Sequence, residues 1–363
     1  MINGSFKLLE YFRSQNIESI DYYGVSAIPF YSSVEEELEV LHYGVALRIM
    51  FNYSLIELRG KDSLDFLHRI TTNSVKDLKK EGVTQTIFTT EKGRILSVST
   101  ILNFDTHQFL VVGVSNKERV LGWINKYVIA DDVKAEDAGE RFNLLELSGP
   151  QSSSFMTLII GSAINDVTPN SFKVFNAEGI LFFLVKIVDF SGRDKYWILA
   201  DDDNSIKLIK YMEENHGIFN FGLVGEEAYH EYRVGLGVPA APNELNDLYN
   251  PHEARLVHLI DFKKGCYIGQ EVIARLDTYD KIQKSLTVVH FEDPIESDQH
   301  FVLLDNDENE VGLVTSAVNA RKLNKSIGLA YVRKNYLQPG TILIAKNGEK
   351  ITKVTVQEFP FKK

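Results

Sequence analysis

Cysteine is nearly absent from this chain of 363 residues: Cys266 stands alone. It has no partner for an intrachain disulfide. One thiolate also does not hold an iron–sulfur cluster, which normally takes four protein ligands. The 9 histidines show no zinc-type pairing, and His252 and His258 lack the close spacing of a helical metal pair. No intrinsic metal site is therefore expected. Long apolar runs are missing too. Phe109 to Val114 and Ile180 to Val185 fall far short of a membrane span. The opening MINGSFKLLEYF has no basic segment followed by an apolar core, so no secretory signal is read there and a cytoplasmic address is the expectation. Dense basic runs are lacking as well. Lys and Arg number 39 against 50 Asp and Glu, a net charge of −11, with the lysines interleaved among acids. That speaks against tight, direct nucleic-acid binding, which needs a basic face to release counterions. The charge itself reads as solubility. No GxxxxGK[ST], HExxH or GxSxG pattern occurs. Gly235-Leu236-Gly237-Val238-Pro239-Ala240 fits a loose GxGxxA pattern, but it follows a helical stretch, Glu226 to Val234, and runs into Pro239 and Pro242, so it reads as a helix exit.

What is present is globular: 44 % hydrophobic and 25 % charged residues. At roughly 150 residues per domain the length suggests two or three domains. An internal repeat organises them. Leu55-Ile56-Glu57-Leu58-Arg59-Gly60 is echoed by Leu144-Leu145-Glu146-Leu147-Ser148-Gly149, and Ser63, Phe66 and Ile70 match Ser152, Phe155 and Ile159. The turn at Gly93 before Ile95-Leu96 matches the turn at Gly179 before Ile180-Leu181, and Phe109 to Ser115 resembles Tyr196 to Asp202. Each copy reads as strand, helix, two or three strands, helix, in a split βαβ, α+β arrangement. Ser115 and Glu118 form a capping-box pattern ahead of Val120, Leu121, Ile124 and Val128 at helical spacing. Asp62 or Ser63 is placed to cap a helix with the stripe Leu64, Leu67 and Ile70. Strands are predicted over Thr84 to Thr90 and Ile95 to Asn103.

After Leu286 the pattern turns to short strands: Leu286 to Phe291, Phe301 to Asp305, Val311 to Val318 and Thr341 to Ala345. Asn347-Gly348 is a hairpin signal, because both residues tolerate the positive φ of a type I′ turn. A small C-terminal β-barrel follows.

Chemistry concentrates between Asp261 and Arg275. Gly265 and Gly269 bracket Cys266-Tyr267-Ile268 and allow tight turns and close approach. Lys263 and Lys264 place positive charge beside Cys266, an arrangement that favours thiolate over thiol. Gln270, Glu271 and Arg275 add an amide, a carboxylate and a guanidinium, with the last two on one face if a helix starts here. A lone cysteine is just as readily a small buried hydrophobe, and Glu271 with Arg275 a plain surface ion pair. Both readings stand on residue chemistry alone.

Lys264-Gly265-Cys266-Tyr267-Ile268-Gly269-Gln270-Glu271 resembles the KGCYxGQE motif of YgfZ-type proteins, relatives of the T-protein of the glycine cleavage system. The lead-in Tyr249 to Ala254 and the run-out Val272 to Lys281 resemble the same branch, as do Glu57 to Thr72 and the helix Gly225 to Arg233. The resemblance implies a cloverleaf of two α+β units and a barrel around a channel that binds tetrahydrofolate. It also implies a part in iron–sulfur cluster assembly or repair, with reduced folate and iron–sulfur proteins or assembly factors as partners, and an indirect link to tRNA modification. Arg233, Lys264, Tyr267, Gln270, Glu271 and Arg275 are the candidate folate contacts, and Cys266 is the candidate working thiol. Two departures count against aminomethyl transfer. Aminomethyltransferases carry an essential Asp in a GGILDD-like pattern, where this chain has Gly93-Arg94-Ile95-Leu96-Ser97-Val98. Their TGExGxE-like turn is matched by a stretch with Arg193 and Trp197 at the Glu positions.

The expected architecture is thus α+β. Residues 1–50 and 140–285 form a folate-binding unit carrying the motif, 51–139 a related unit, and 286–363 the barrel. The expected function is a tetrahydrofolate-binding accessory role in cluster assembly that uses the thiol. The alternative is a folate-dependent aminomethyltransferase or demethylase, and a purely structural folate binder is a third reading.

Overall fold

The computed structural model describes residues 6–188, 194–278, 282–296 and 299–359. Its contacts divide the chain into two compact units: 1–86 with 98–229, and 87–97 with 230–363.

The first unit holds both copies of the repeat apart from residues 87–97. In one, the elements run Tyr53–Arg59, helix Ser63–Ile70, Val83–Thr89, Ile95–Asn103, His107–Gly113 and helix Val114–Tyr127. In the other they run Asn143–Ser148, helix Ser152–Ile160, Ser171–Ala177, Ile180–Val188, Asp194–Ala200 and helix Asp202–Glu214. The sheets share one order. The five-stranded sheet runs 83–89, 95–103, 107–113, 53–59 and 134–137, and the six-stranded sheet runs 171–177, 180–188, 194–200, 143–148, 45–49 and 221–224. Main-chain bonds join the copies at the edge strands Val83–Thr89 and Ser171–Ala177, from Val83 N to Asn170 O and from Phe172 N to Glu81 O, each 2.9 Å. The alternation of each strand decides what it buries. Leu145, Leu147, Tyr196 and Ile198 point to the helices, against Phe155, Met156, Leu208 and Met212. Leu144, Trp197 and Leu199 point the other way, into a core shared with Leu55, Phe109 and Val111 of the first copy.

Local chemistry moved several boundaries. The helix after His107–Gly113 begins at Val114 with Gly113 as its cap and no side-chain cap bond, so the Ser115 capping box does not form. The Val114 amide donates instead to Asn52 O at 2.9 Å, drawing the chain straight from strand into helix. A complete capping box forms at Ser33 and Glu36, ahead of the helix Val34–Tyr43. In Ser63–Ile70 it is Phe66, not Leu64, that joins Leu67 and Ile70 in the core, and Asp62 accepts from the Asp132 amide at 2.8 Å rather than capping the helix.

In the second unit a six-stranded barrel closes in the order Lys284–Phe291, Lys325–Arg333, Glu310–Ala320, Phe301–Leu304, Ile342–Asn347 and Lys350–Val356. Phe301, Leu303, Val314, Ala330 and Val354 fill it. Asn347 pairs with Lys350 as the last strand residue, so the turn is Gly348-Glu349, one residue later than expected. Of these two only Gly348 has positive φ, at 57°, which excludes type I′. The segment ahead of the barrel docks on it through polar contacts and one aromatic stack. The Tyr249 and Tyr331 rings lie 3.4 Å apart at 8°, and the Leu286 amide donates to Glu253 O at 2.8 Å.

Candidate functional site

The loop that carries the cysteine belongs to the second unit, and burial alternates sharply along it. Lys264 and Tyr267 are buried, whereas Gly265 and Cys266 between them are exposed. Tyr267 packs with Ile260 and Ile273 in a small core of its own, and the Lys264 ammonium lies 5.2 Å from the centre of the Tyr267 ring. The thiol therefore projects from a tip between two inner anchors, and the reading of Cys266 as a buried hydrophobe does not hold. Burial pushes the Tyr267 phenol up to about 12. Burial likewise brings the Lys264 ammonium down to about 8, with Asp261 only partly opposing it. Lys264 stays mainly protonated at neutral pH and becomes neutral a little above it.

The far stem of the loop is fixed by Thr89, whose Oγ1 donates to Ile268 O at 2.7 Å. Gly269 follows with φ 84°, and a Cβ there would lie 2.6 Å from Thr90 O. Only glycine allows this approach. Gln270 then opens the helix Gln270–Thr278, its amide donating to Tyr267 O at 3.2 Å. Gln270 is half-buried, while Glu271 in the first turn and Arg275 in the last are exposed, each at the helix end that suits its charge. Arg233 is placed differently. Its guanidinium is buried and donates to Glu244 Oε2 at 3.0 Å, Val238 O at 3.1 Å and Ser316 Oγ at 2.9 Å, which ties it to the barrel. Glu244 also accepts from Thr315 and Ser316, both at 2.7 Å.

A second set of residues, in the first unit, was missed by motif reasoning. Glu146 is buried in the middle of its strand, with Arg48 beside it on one neighbouring strand and Trp197 on the other. Trp197 Nε1 donates to Glu146 Oε2 at 3.1 Å, and Lys195 pairs with Oε1 at 3.1 Å. Burial works to raise the Glu146 carboxyl, but Lys195 and Arg48 outweigh it and hold it below the usual range. Arg48 is clasped by Glu226, through Nε at 3.2 Å and Nη2 at 2.9 and 2.8 Å. Its guanidinium lies 3.8 Å from the centre of the Tyr229 ring, and Lys195 lies 6.0 Å from the same ring. Burial pushes the Tyr229 and Tyr53 phenols up, Tyr53 to about 12, yet both residues keep surface open to solvent. Aromatic rings, a charge-paired carboxylate and two cations thus come together within this unit. One sequence signal pointed here: a glutamate at the same place in two otherwise apolar repeat strands.

The positions that depart from the transferase pattern are accounted for in part. Ser97, where an Asp is expected, is fully buried in the strand Ile95–Asn103. Trp197, where a Glu is expected, contacts the carboxylate of Glu146 from the next strand. Arg193 lies outside the described residues.

Comparison with known proteins gives a consistent result. Residues 7–264 match the family described as GCVT N-terminal domain, and residues 284–363 match the glycine cleavage T-protein C-terminal barrel domain. The chloroplastic protein At1g60990 of Arabidopsis thaliana, whose name assigns it only provisionally to the transferases, is 27 % identical over 90 % of this chain and 73 % of its own length. The aminomethyltransferase of Oceanobacillus iheyensis is 25 % identical over 97 % of this chain and 96 % of its own. The crystal structure of glycine cleavage system aminomethyltransferase T from Bartonella henselae superposes with a TM-score of 0.83 at 18 % identity, covering 98 % of this chain and 97 % of that one. Among the described residues no helix is long and apolar enough to cross a membrane.

Proposed function

The chain belongs to the glycine cleavage T-protein family, and from that premise we propose that it is a tetrahydrofolate-binding accessory protein for iron–sulfur cluster assembly or repair, acting through Cys266. The observation that carries the proposal is the exposed thiol, presented between the buried anchors Lys264 and Tyr267. A side chain held outward in this way is suited to a transient contact with a second protein, as a thiolate–cluster bond or a mixed disulfide. A cytoplasmic setting suits the same reading, because thiols stay reduced there.

Folate binding is supported by the donor set. A reduced folate offers a flat ring with an amide-like edge and an anionic tail. Tyr229 and Tyr53, each partly open to solvent, supply ring surface in the first unit, and Glu146 and Lys195 a carboxylate and a cation, while buried Arg48 backs the Tyr229 ring and Trp197 bonds the carboxylate. In the second unit Lys264, Tyr267, Gln270, Glu271 and Arg275 retain the candidacy their chemistry gives them. Arg233 serves better as a support for the segment that precedes the loop, since its donors are spent on Glu244 and Ser316.

A second reading, folate-dependent one-carbon transfer, is favoured by the aminomethyltransferase names of the relatives. Against it stands Ser97, which brings no carboxylate to the position where transfer needs an acid–base group. Anaerobic titration with tetrahydrofolate, read by thermal shift, tests folate binding. Turnover of an aminomethyl or methylamine donor with tetrahydrofolate would favour the second reading. Loss of support for cluster-dependent enzymes in Cys266→Ser, with the fold intact, would favour the first.

A further inference from the structure

Residues 87–97 close the hairpin between Val83–Thr89 and Ile95–Asn103, and their contacts place them in the unit of the cysteine loop. They grip that unit at four points. Thr89 Oγ1 donates to Ile268 O at 2.7 Å. Gly93, at φ 67°, lies so close to the helix Gln270–Thr278 that a Cβ would meet Val272 at 3.2 Å and Ile273 at 3.3 Å. The Ile95 amide donates to Tyr249 O at 2.9 Å. Arg94 Nη1 donates to Leu248 O at 3.0 Å and to Glu253 Oε2 at 3.1 Å.

These contacts fall on both sides of the loop that presents Cys266. Arg94 and Ile95 hold the lead-in 248–253, while Gly93 and Thr89 hold the exit at 268–273. The exit needs the help most. Gly269 has a left-handed backbone and no side chain to anchor it, so the stem is held here through main-chain groups, and the Ile268 carbonyl is the one that Thr89 takes. We propose that this turn sets the conformation of the Cys266 loop, with Thr89 as its positioning residue. The functional part of the proposal rests on the reading of Cys266 as the working thiol. In this chain the turn carries no carboxylate from Arg94 to Val98, and Thr89 and Arg94 direct their side-chain donors at the loop exit and its lead-in.

Amide hydrogen exchange on the full chain tests the assignment. In Thr89→Val the amides of residues 265–273 are expected to exchange about five-fold faster, the effect of losing one net hydrogen bond from a local opening, with the barrel amides unchanged. Thr89→Ser is expected to restore the original rates. Unchanged exchange at 265–273 in Thr89→Val would overturn the proposal, and so would an equal rise throughout the barrel. Arg94→Ala supplies an independent arm and is expected to speed exchange at 248–254 and at 265–273 together; unchanged rates in both segments would count against the turn as the controlling element. In cluster-enzyme support, Thr89→Val is expected to lose several-fold and Thr89→Ser to be normal. If Cys266→Ser keeps full support while Thr89→Val still loosens 265–273, the thiol reading fails and the positioning role of Thr89 stands.

Discussion

Glu57 and Glu146 are equivalent residues of the two repeat copies, and each is buried at the core shared by the two sheets. Glu57 faces Phe109 across its strand pair and Glu146 faces Trp197. Two residues before each aromatic stands a basic side chain that reaches the carboxylate: His107, 3.9 Å from Glu57, and Lys195, 3.1 Å from Glu146. The copies then diverge. Glu57 is neutralised by Arg59 at 2.6 Å and by Arg141, both on the outer rim. Glu146 is approached by Arg48, which Glu226 and Tyr229 fix from behind. Each copy thus buries a carboxylate at the equivalent place, with a different set of cations against it.

Acid stability follows from this pair. Burial raises both carboxyls, yet cations outweigh it and both end below the ordinary 4.5. A depressed carboxyl contributes stability that is present above its unfolded value and lost as pH falls through the folded one. Denaturant unfolding should therefore show stability falling as pH drops below about 4.5, and the double variant Glu57→Gln, Glu146→Gln should show a flatter dependence over that range. An unchanged slope in the double variant would contradict the assignment.

Lys264 acts with the opposite sign. Its folded value of about 8 lies below the ordinary 10.5, so between those values the unfolded chain binds more protons and stability rises with pH. Thermal unfolding at pH about 7 and about 9.5 should show Lys264→Met losing most of this alkaline gain. It should also be at least as stable as the parent at pH about 7, because no buried ammonium is then desolvated.

Arg233 is a structural cation by its contacts. Truncating it to Ala leaves Glu244 buried with only hydroxyl and amide donors, a loss of about 3–5 kcal/mol in unfolding free energy. Arg233→Lys should recover little of it, because an ammonium does not reach Glu244, Val238 and Ser316 together as the guanidinium fork does. Equal stability of Arg233→Ala and the parent would reopen Arg233 as a free ligand contact.

The repeat, the barrel and the cysteine loop were legible because each rests on short-range signals: periodicity, paired glycines and a contiguous motif. The strands Lys325–Arg333 and Lys350–Val356 were not marked out: Ser326, Gly328 and Ala330 break up the buried run of the first, and in the second Thr352 takes an inward position while Ile351 faces out. The Arg48–Glu226 clasp joins residues 178 apart, and no local pattern encodes such a pairing. Nor could spacing show that 87–97 packs in a different unit from the strands it connects, because that depends on contacts with Tyr249, Glu253 and Ile268 far along the chain. Cys266 itself was ambiguous in sequence, and its exposure between buried Lys264 and Tyr267 removes only the reading as a buried hydrophobe.

The most direct test of the thiol-dependent role is complementation of a strain that lacks this activity, scored on the specific activities of several iron–sulfur enzymes with cluster-free enzymes as controls. The Cys266→Ser chain, shown by its thermal transition to be folded, should fail to restore the cluster enzymes and leave the controls untouched, whereas the parent restores them. Full restoration by the serine variant would contradict a working thiol.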